Sequence, residues 1–168
     1  PGSYIAFNLS LENLAFEGAG LFYNEFFQMI SDEGHTVVIE ISEQSIRQRL
    51  DMKCVAEELR VLRNHGVRIA LDDFGLEASN LDRLITLPID IVKIDKKLVD
   101  NVNEDFKSVA VIQAVVDMAA KLGIDVVAEG IETNIQREAL MQIGVHYHQG
   151  YHYARALAGR DLHQLLAV

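Results

Sequence analysis

The chain has 168 residues, 49% hydrophobic and 24% charged, which suits one domain with a real core and excludes a disordered chain or two ordinary domains. No apolar run approaches the roughly 18 to 20 residues of a membrane-spanning helix, and no cationic leader precedes a short apolar stretch, so a soluble segment without membrane contact is expected. Twenty-five acidic against fifteen basic residues leave a formal charge of −10, which argues against a DNA or RNA polymer as partner but not against a small phosphorylated ligand beside a metal ion.

Pro1-Gly2-Ser3 reads as the remnant of a cleaved tag, leaving 4–168 as the domain. Strand-like runs then fall at Tyr4 to Leu9, Thr36 to Ile41, Val67 to Leu71, Ile89 to Ile94, Ile124 to Ala128 and Val145 to His148. Most are near-continuous Val, Ile, Ala or Leu, as in strands buried on both faces of a parallel sheet. Helical stretches lie between them at Leu11 to Ile30, Glu43 to Asn64 and Phe106 to Leu122, the last with Val109, Ile112, Val116 and Ala119 at helical spacing. Gly66, Gly123 and Gly144 each stand directly before a β-branched residue, where a left-handed glycine closes a helix and a strand begins. The pattern predicts repeating βα units around a parallel sheet. The single cysteine, Cys54, excludes an intrachain disulfide and reads as a small buried hydrophobe, which fits a cytoplasmic setting.

What ends each strand carries the chemistry. The first run carries Asn8, the second ends in Glu40 with Glu43 three residues on, and the third runs into Asp72-Asp73. The fourth supplies Lys93 and Asp95, the fifth Glu129 and then Glu132, and the sixth Gln149, whereas the amino ends show no such series. Taken singly, each acid could be a helix cap, Lys93 a salt-bridge partner and Gln149-Gly150 a turn. Jointly they match a βα barrel, whose functional residues gather at the carboxyl ends of several strands, better than an open doubly wound sheet with its single switch point. So many carboxylates at one mouth, with only Lys93 to offset them, call for hard divalent cations such as Mg²⁺ or Mn²⁺ and for metal-assisted chemistry on a phosphate. His146, His148 and His152 lie at even spacing, but no cysteine or carboxylate joins them at a zinc-ligand spacing, so a metal role is not assigned to them.

The segments Asn8-Leu9-Ser10, Glu40-Ile41-Ser42-Glu43, Asp72-Asp73-Phe74-Gly75, Lys93-Ile94-Asp95, Ala128-Glu129-Gly130-Ile131-Glu132-Thr133 and Gln149-Gly150-Tyr151 resemble, in order, the successive motifs of the EAL domain family. The resemblance implies a modified (β/α)₈ barrel that hydrolyses cyclic di-GMP to linear pGpG with Mg²⁺ or Mn²⁺. It implies Asn8, Glu40, Asp72 and Asp73 as metal ligands, Lys93 as the group orienting the attacking water and Glu129 as general base. Asp95, Glu132 and Gln149 correspond to residues around the bound phosphodiester, and Glu43 to the glutamate that steadies the loop after Asp72-Asp73.

The chain also departs from the family. The Glu-Ala-Leu motif that the family carries on its first barrel strand is not found ahead of Asn8 (Glu138-Ala139-Leu140 lies far downstream of that position), six strands are legible where a (β/α)₈ barrel has eight, and such barrels typically take about 250 residues. The loop after Gly75 reads Leu76-Glu77-Ala78-Ser79-Asn80-Leu81 where the family has Thr-Gly-Tyr-Ser-Ser-Leu, and Arg155-Ala156-Leu157 stands for Arg-Pro-Leu. The expectation is therefore an incomplete barrel of about six parallel strands whose open edges favour a homodimer. The parent protein is expected to be a phosphodiesterase. The chain as written, lacking one metal ligand, is expected to be inactive. The alternative is a degenerate module that binds cyclic di-GMP or a protein partner without hydrolysis.

Overall fold

In the computed structural model, residues 3–42, 50–75 and 80–157 are described. Six parallel strands, β1 (Tyr4–Asn8), β2 (Thr36–Ile41), β3 (Arg68–Phe74), β4 (Ile91–Ile94), β5 (Asp125–Ala128) and β6 (Tyr147–His148), pair strictly in sequence order. That order is what separates a barrel wall from a doubly wound sheet, in which the winding reverses. The helices are α1 (Ala19–Asp32), α2 (Met52–Asn64), α3 (Asn80–Thr86), α4 (Lys96–Asp100), α5 (Phe106–Leu122) and α6 (Asn134–Ile143).

Alternate strand residues serve two different surfaces. Val37, Ile39, Ile41, Ile69, Leu71, Val92 and Ile94 point outward and pack with Val55, Leu59 and Leu62 of α2, Ile112 of α5 and Leu140 of α6 in the main core. Val38, Ala70 and Ile91 point to the concave side, with Val127 against them, as a second and smaller apolar layer. Burial on both faces is why β2, β3 and β4 read as apolar runs, whereas β1 at the open edge is only partly covered.

Two of the expected helices begin later than the sequence suggests. Leu11 to Ile30 is not one helix: Ser10 caps a short 3₁₀ turn at Leu11–Leu14, and α1 starts only after Gly18, whose φ of 89° is left-handed. In the second, α2 starts at Met52 with the Asp51 carboxylate accepting from the N–H groups of Lys53 and Cys54, and residues 43–49 lie outside the described part. The expected Phe106–Leu122 helix is found as such, and Gly123 and Gly144 close α5 and α6 in the left-handed conformation. Cys54 is half-buried rather than buried, because it lies beside the packing stripe of α2 rather than on it.

Glu58 of α2 ties two helices together. Its buried carboxylate accepts from the N–H of Gly18 at 3.0 Å and of Gly20 at 2.7 Å, so it neutralises the amino terminus of α1. The approach is close: a Cβ on Gly20 would lie 2.6 Å from the Glu58 carbonyl oxygen and 2.9 Å from Val61 Cβ. Gly20→Ala is therefore expected to destabilise the protein by about 1–3 kcal/mol, measured as a lowered urea midpoint at unchanged slope.

Candidate active site

The carboxyl ends of the strands meet at one mouth, and Lys93 stands at its centre. β4 alternates inward and outward, so Ile91 and Lys93 share the concave face. Only 5% of the Lys93 side chain is exposed, and its Nζ lies 2.8 Å from Glu40 Oε1, 3.4 Å from Asp72 Oδ1 and 2.6 Å from Glu129 Oε1. Burial alone would drive the proton off the ammonium, but hydrogen bonds to Glu129 and Glu40 outweigh it and raise the Lys93 pKa above its ordinary value. Three carboxylates from β2, β3 and the end of β5 thus converge on one cation.

Asp72 and Asp73 both reach this mouth because β3 is irregular there. Leu71 pairs with Val92 and Phe74 with Ile94, so two residues of β3 face one residue of β4, Lys93. Asp73 takes up the extra length at φ 54°, a left-handed value that aspartate tolerates better than most side chains, and its N–H bonds to Asp72 Oδ1 at 3.0 Å. Without the bulge, consecutive side chains would point to opposite faces. With it, oxygen atoms of Asp72, Asp73 and Glu129 lie within 4.8 Å of one another.

The electrostatics follow from this crowding. Glu129 is pushed up to about 7: burial is the main cause, the negative charges of Asp72 and Glu40 add to it, and the Lys93 contact only partly opposes it. Burial and the charges of Asp72 and Asp95 likewise raise the Asp73 carboxyl, which shares a hydrogen bond with Asp95. An all-oxygen donor set with more negative charge than Lys93 can balance fits a hard divalent cation, with Asp72, Asp73 and Glu129 as the residues that would hold it. Asp73→Asn keeps the left-handed tolerance but removes that residue's negative charge, so Mn²⁺ binding is expected to weaken at least about tenfold with little change in melting temperature. Titration of the metal alone, followed by electron paramagnetic resonance, checks this.

The other expected site residues fall at the same end of the barrel but differ in their contacts. Asn8 pairs in register with Glu40 and is exposed on β1. Asp95 caps α4, accepting from the Lys97 N–H at 2.7 Å, so the cap reading and a rim position both hold for it. Glu132 is engaged by Lys96 at 2.7 Å, which holds its carboxyl below the usual range. Gln149 lines the concave cavity and extends the ladder, its N–H bonding to the Ala128 carbonyl at 2.8 Å. Glu43 lies outside the described residues, as does 76–79 of the altered loop.

The three histidines do not form a centre. His148 bonds to the Tyr153 hydroxyl and the Val145 carbonyl, and among the described residues the one metal-capable group found is Asp72-Asp73-Glu129. The amino ends of the strands, which show no polar series in the sequence, do carry one ion pair. Arg68 bonds to Asp125 at 2.6 Å and forms the floor of a concave cavity of about 340 Å³ that leads up to Glu40 and Lys93. Its signal was an arginine and an aspartate at the first positions of β3 and β5, legible only once the strands are known to lie two places apart.

A family model for the EAL domain matches residues 2–156. The chain belongs to the EAL domain family. As an EAL domain it is 36% identical over 161 residues to the probable cyclic di-GMP phosphodiesterase PdeB of Escherichia coli, covering 96% of this chain and 30% of PdeB. The crystal structure of the EAL domain of Mycobacterium smegmatis DcpA superposes with a TM-score of 0.85 at 30% identity, covering 96% of this chain and 72% of that one. A manganese and cyclic di-GMP complex of Klebsiella pneumoniae BlrP1 matches with a TM-score of 0.75 at 30% identity, covering 89% of this chain and 38% of BlrP1. The fold is thus the modified TIM barrel of this family, with six parallel strands forming an open half-barrel. The chain spans 16% to 30% of the length of three curated relatives it matches. No helix among the described residues is long and apolar enough to cross a membrane.

Proposed function

We propose that this EAL domain serves a phosphodiesterase that hydrolyses cyclic di-GMP to linear pGpG with Mg²⁺ or Mn²⁺. The observation that carries the reading is the ring of Glu40, Asp72 and Glu129 around Lys93, with Asp73 brought in by the bulge. The relatives PdeB and BlrP1 support it through the nucleotide that their names or complexes carry. Asp72, Asp73 and Glu129, with Glu40 and Asn8 beside them, would hold the divalent cations. When bound, these polarise the phosphodiester and lower the pKa of a coordinated water.

The residues of the chain supply positioning and proton transfer. Lys93, held by three carboxylates, has its ammonium fixed where it can orient the attacking water. Glu129, whose carboxylate lies at the mouth 2.6 Å from Lys93 Nζ, accepts the proton that this water loses. The water oxygen bonds to phosphorus, the bond from phosphorus to the ribose 3′ oxygen breaks, and that oxygen takes a proton from solvent as it leaves, while Glu129 returns its own to solvent, so the phosphate stays on the 5′ side of pGpG. Asp95, Glu132 and Gln149 at the rim meet the nucleotide. Incubation of the purified parent protein that contains this domain with cyclic di-GMP and saturating Mn²⁺, with pGpG separated by chromatography, is the test. No product above the metal-only control rejects the reading.

A homodimer and a cytoplasmic setting belong to the same proposal. Among the described residues β1 and β6 each pair on one side only. Next to β1, α1 leaves Phe22 65% and Met29 70% exposed, an apolar face that a second copy would cover. A monodisperse monomer by light scattering would count against the dimer.

A further inference from the structure

We propose that Lys96 is a positioning residue for Glu129, locking the end of β4 to the loop that leaves β5. Lys96 opens α4 directly after Asp95, and its side chain crosses to the neighbouring loop. Its Nζ lies 2.7 Å from Glu132 Oε1 and 3.5 Å from the Gly130 carbonyl, with Asp100 of its own helix at 3.1 Å. The contact with Gly130 is also steric. Gly130 has φ 70°, and a Cβ there would lie 2.4 Å from Lys96 Cγ and 2.7 Å from both its Cβ and Cδ, so the aliphatic stem rests on the glycine α-carbon.

The residue directly before Gly130 is Glu129. On one side Glu129 is fixed by its own N–H, which bonds to the Ile94 carbonyl at 3.1 Å. On the other side the chain turns through Gly130 before Ile131, whose N–H bonds to the Gln149 carbonyl at 3.1 Å, and the turn between these two anchors is what Lys96 clasps. Beyond their backbone ladder, the ends of β4 and β5, which carry Lys93 and Glu129, are therefore joined by two side chains: at the mouth by Lys93 with Glu129, and outside it by Lys96 with Gly130 and Glu132. The outer ion pair is about half exposed on both sides, so it adds little to global stability. Its effect falls on the placement of a carboxylate, where small errors matter for metal binding and proton transfer.

The catalytic consequence rests on the hydrolytic reading above, whereas the mechanical one does not. Lys96→Ala, with Lys96→Arg as the conservative control, separates them in the 168-residue chain. Lys96→Ala is expected to raise amide hydrogen exchange in 129–133 about tenfold over wild type, to weaken binding of Mn²⁺ alone about tenfold, and to leave the melting temperature nearly unchanged. Lys96→Arg should recover most of both losses. If the protein turns over cyclic di-GMP, kcat should fall about tenfold with KM little changed. Unchanged exchange in 129–133, exchange raised equally throughout the fold, or a change in KM alone overturns the proposal. Should wild type neither bind Mn²⁺ nor act on the nucleotide, the hydrolytic reading fails, and the local exchange result alone decides whether Lys96 holds the loop.

Discussion

Lys93→Met is expected to abolish turnover of cyclic di-GMP, by about 10²–10³-fold or more, while the protein still binds Mn²⁺ at least as tightly as wild type. The reason is that Lys93 is both the oriented donor at the mouth and the internal cation of Glu40, Asp72 and Glu129. Methionine keeps the stem and removes the charge. Without metal, three carboxylates then face one another in a half-buried ring, and the variant should lose about 3 kcal/mol at pH 8. For a chain of this length that corresponds to roughly 6 to 12 °C in melting temperature. Lowering the pH to 5.5 should shrink the loss, because Glu129, which burial raises to about 7, can then protonate. Added Mn²⁺ should recover more stability in the variant than in wild type, since the ion replaces the missing positive charge. Calorimetric scans with and without metal at the two pH values read all of this. A variant that melts like wild type without metal at pH 8 would show that the ring is not held by Lys93.

Glu129 makes the second large effect, and its sign is set by burial. Its folded pKa of about 7 lies above the ordinary 4.5, so the native state favours the protonated carboxyl. That contribution is fully present below 4.5 and is lost as the pH rises through 7, amounting to the order of 2–3 kcal/mol in the metal-free protein. Glu129→Gln, neutral at every pH, should flatten the urea-stability profile between pH 5 and 8 while removing turnover. Metal affinity runs the opposite way, because the cation binds the ionised carboxylate. Mn²⁺ binding should strengthen by about tenfold per pH unit up to 7 and level off above it. Isothermal titration in two buffers of different ionisation enthalpy would register about one proton released per binding event below pH 7. Binding independent of pH across this range would place the titrating carboxylate elsewhere.

Much of the barrel wall was legible because its physics is local. Continuous Val, Ile and Leu runs such as Thr36–Ile41 can only be strands covered on both sides, and glycines such as Gly123 and Gly144 mark helix ends by a conformation that few other residues adopt. The start of α1 was not legible. Its residues are helix-compatible from Leu11 onward, and the break at Gly18 is decided by Glu58, which lies 40 positions away in sequence. Helices α3 and α4 were missed, and of α6 only the exit at Gly144 was read, for a related reason. They are short, and α4 and α6 owe their starts to Asp95 and Thr133, the same kinds of residue that also serve turns.

The candidate site divides along the same line. The order and type of Asn8, Glu40, Asp72, Asp73, Lys93 and Glu129 state that an acidic, metal-fitted mouth exists, since strand ends in a barrel must converge wherever the chain places them. Which carboxylates touch Lys93, how Asp72 and Asp73 come to face the same way, and what holds Gly130 under Lys96 depend on a two-for-one mismatch between β3 and β4 and on a side chain crossing between neighbouring loops. Such features are properties of strand register and of the space between elements, and neither is encoded in any one segment of the chain.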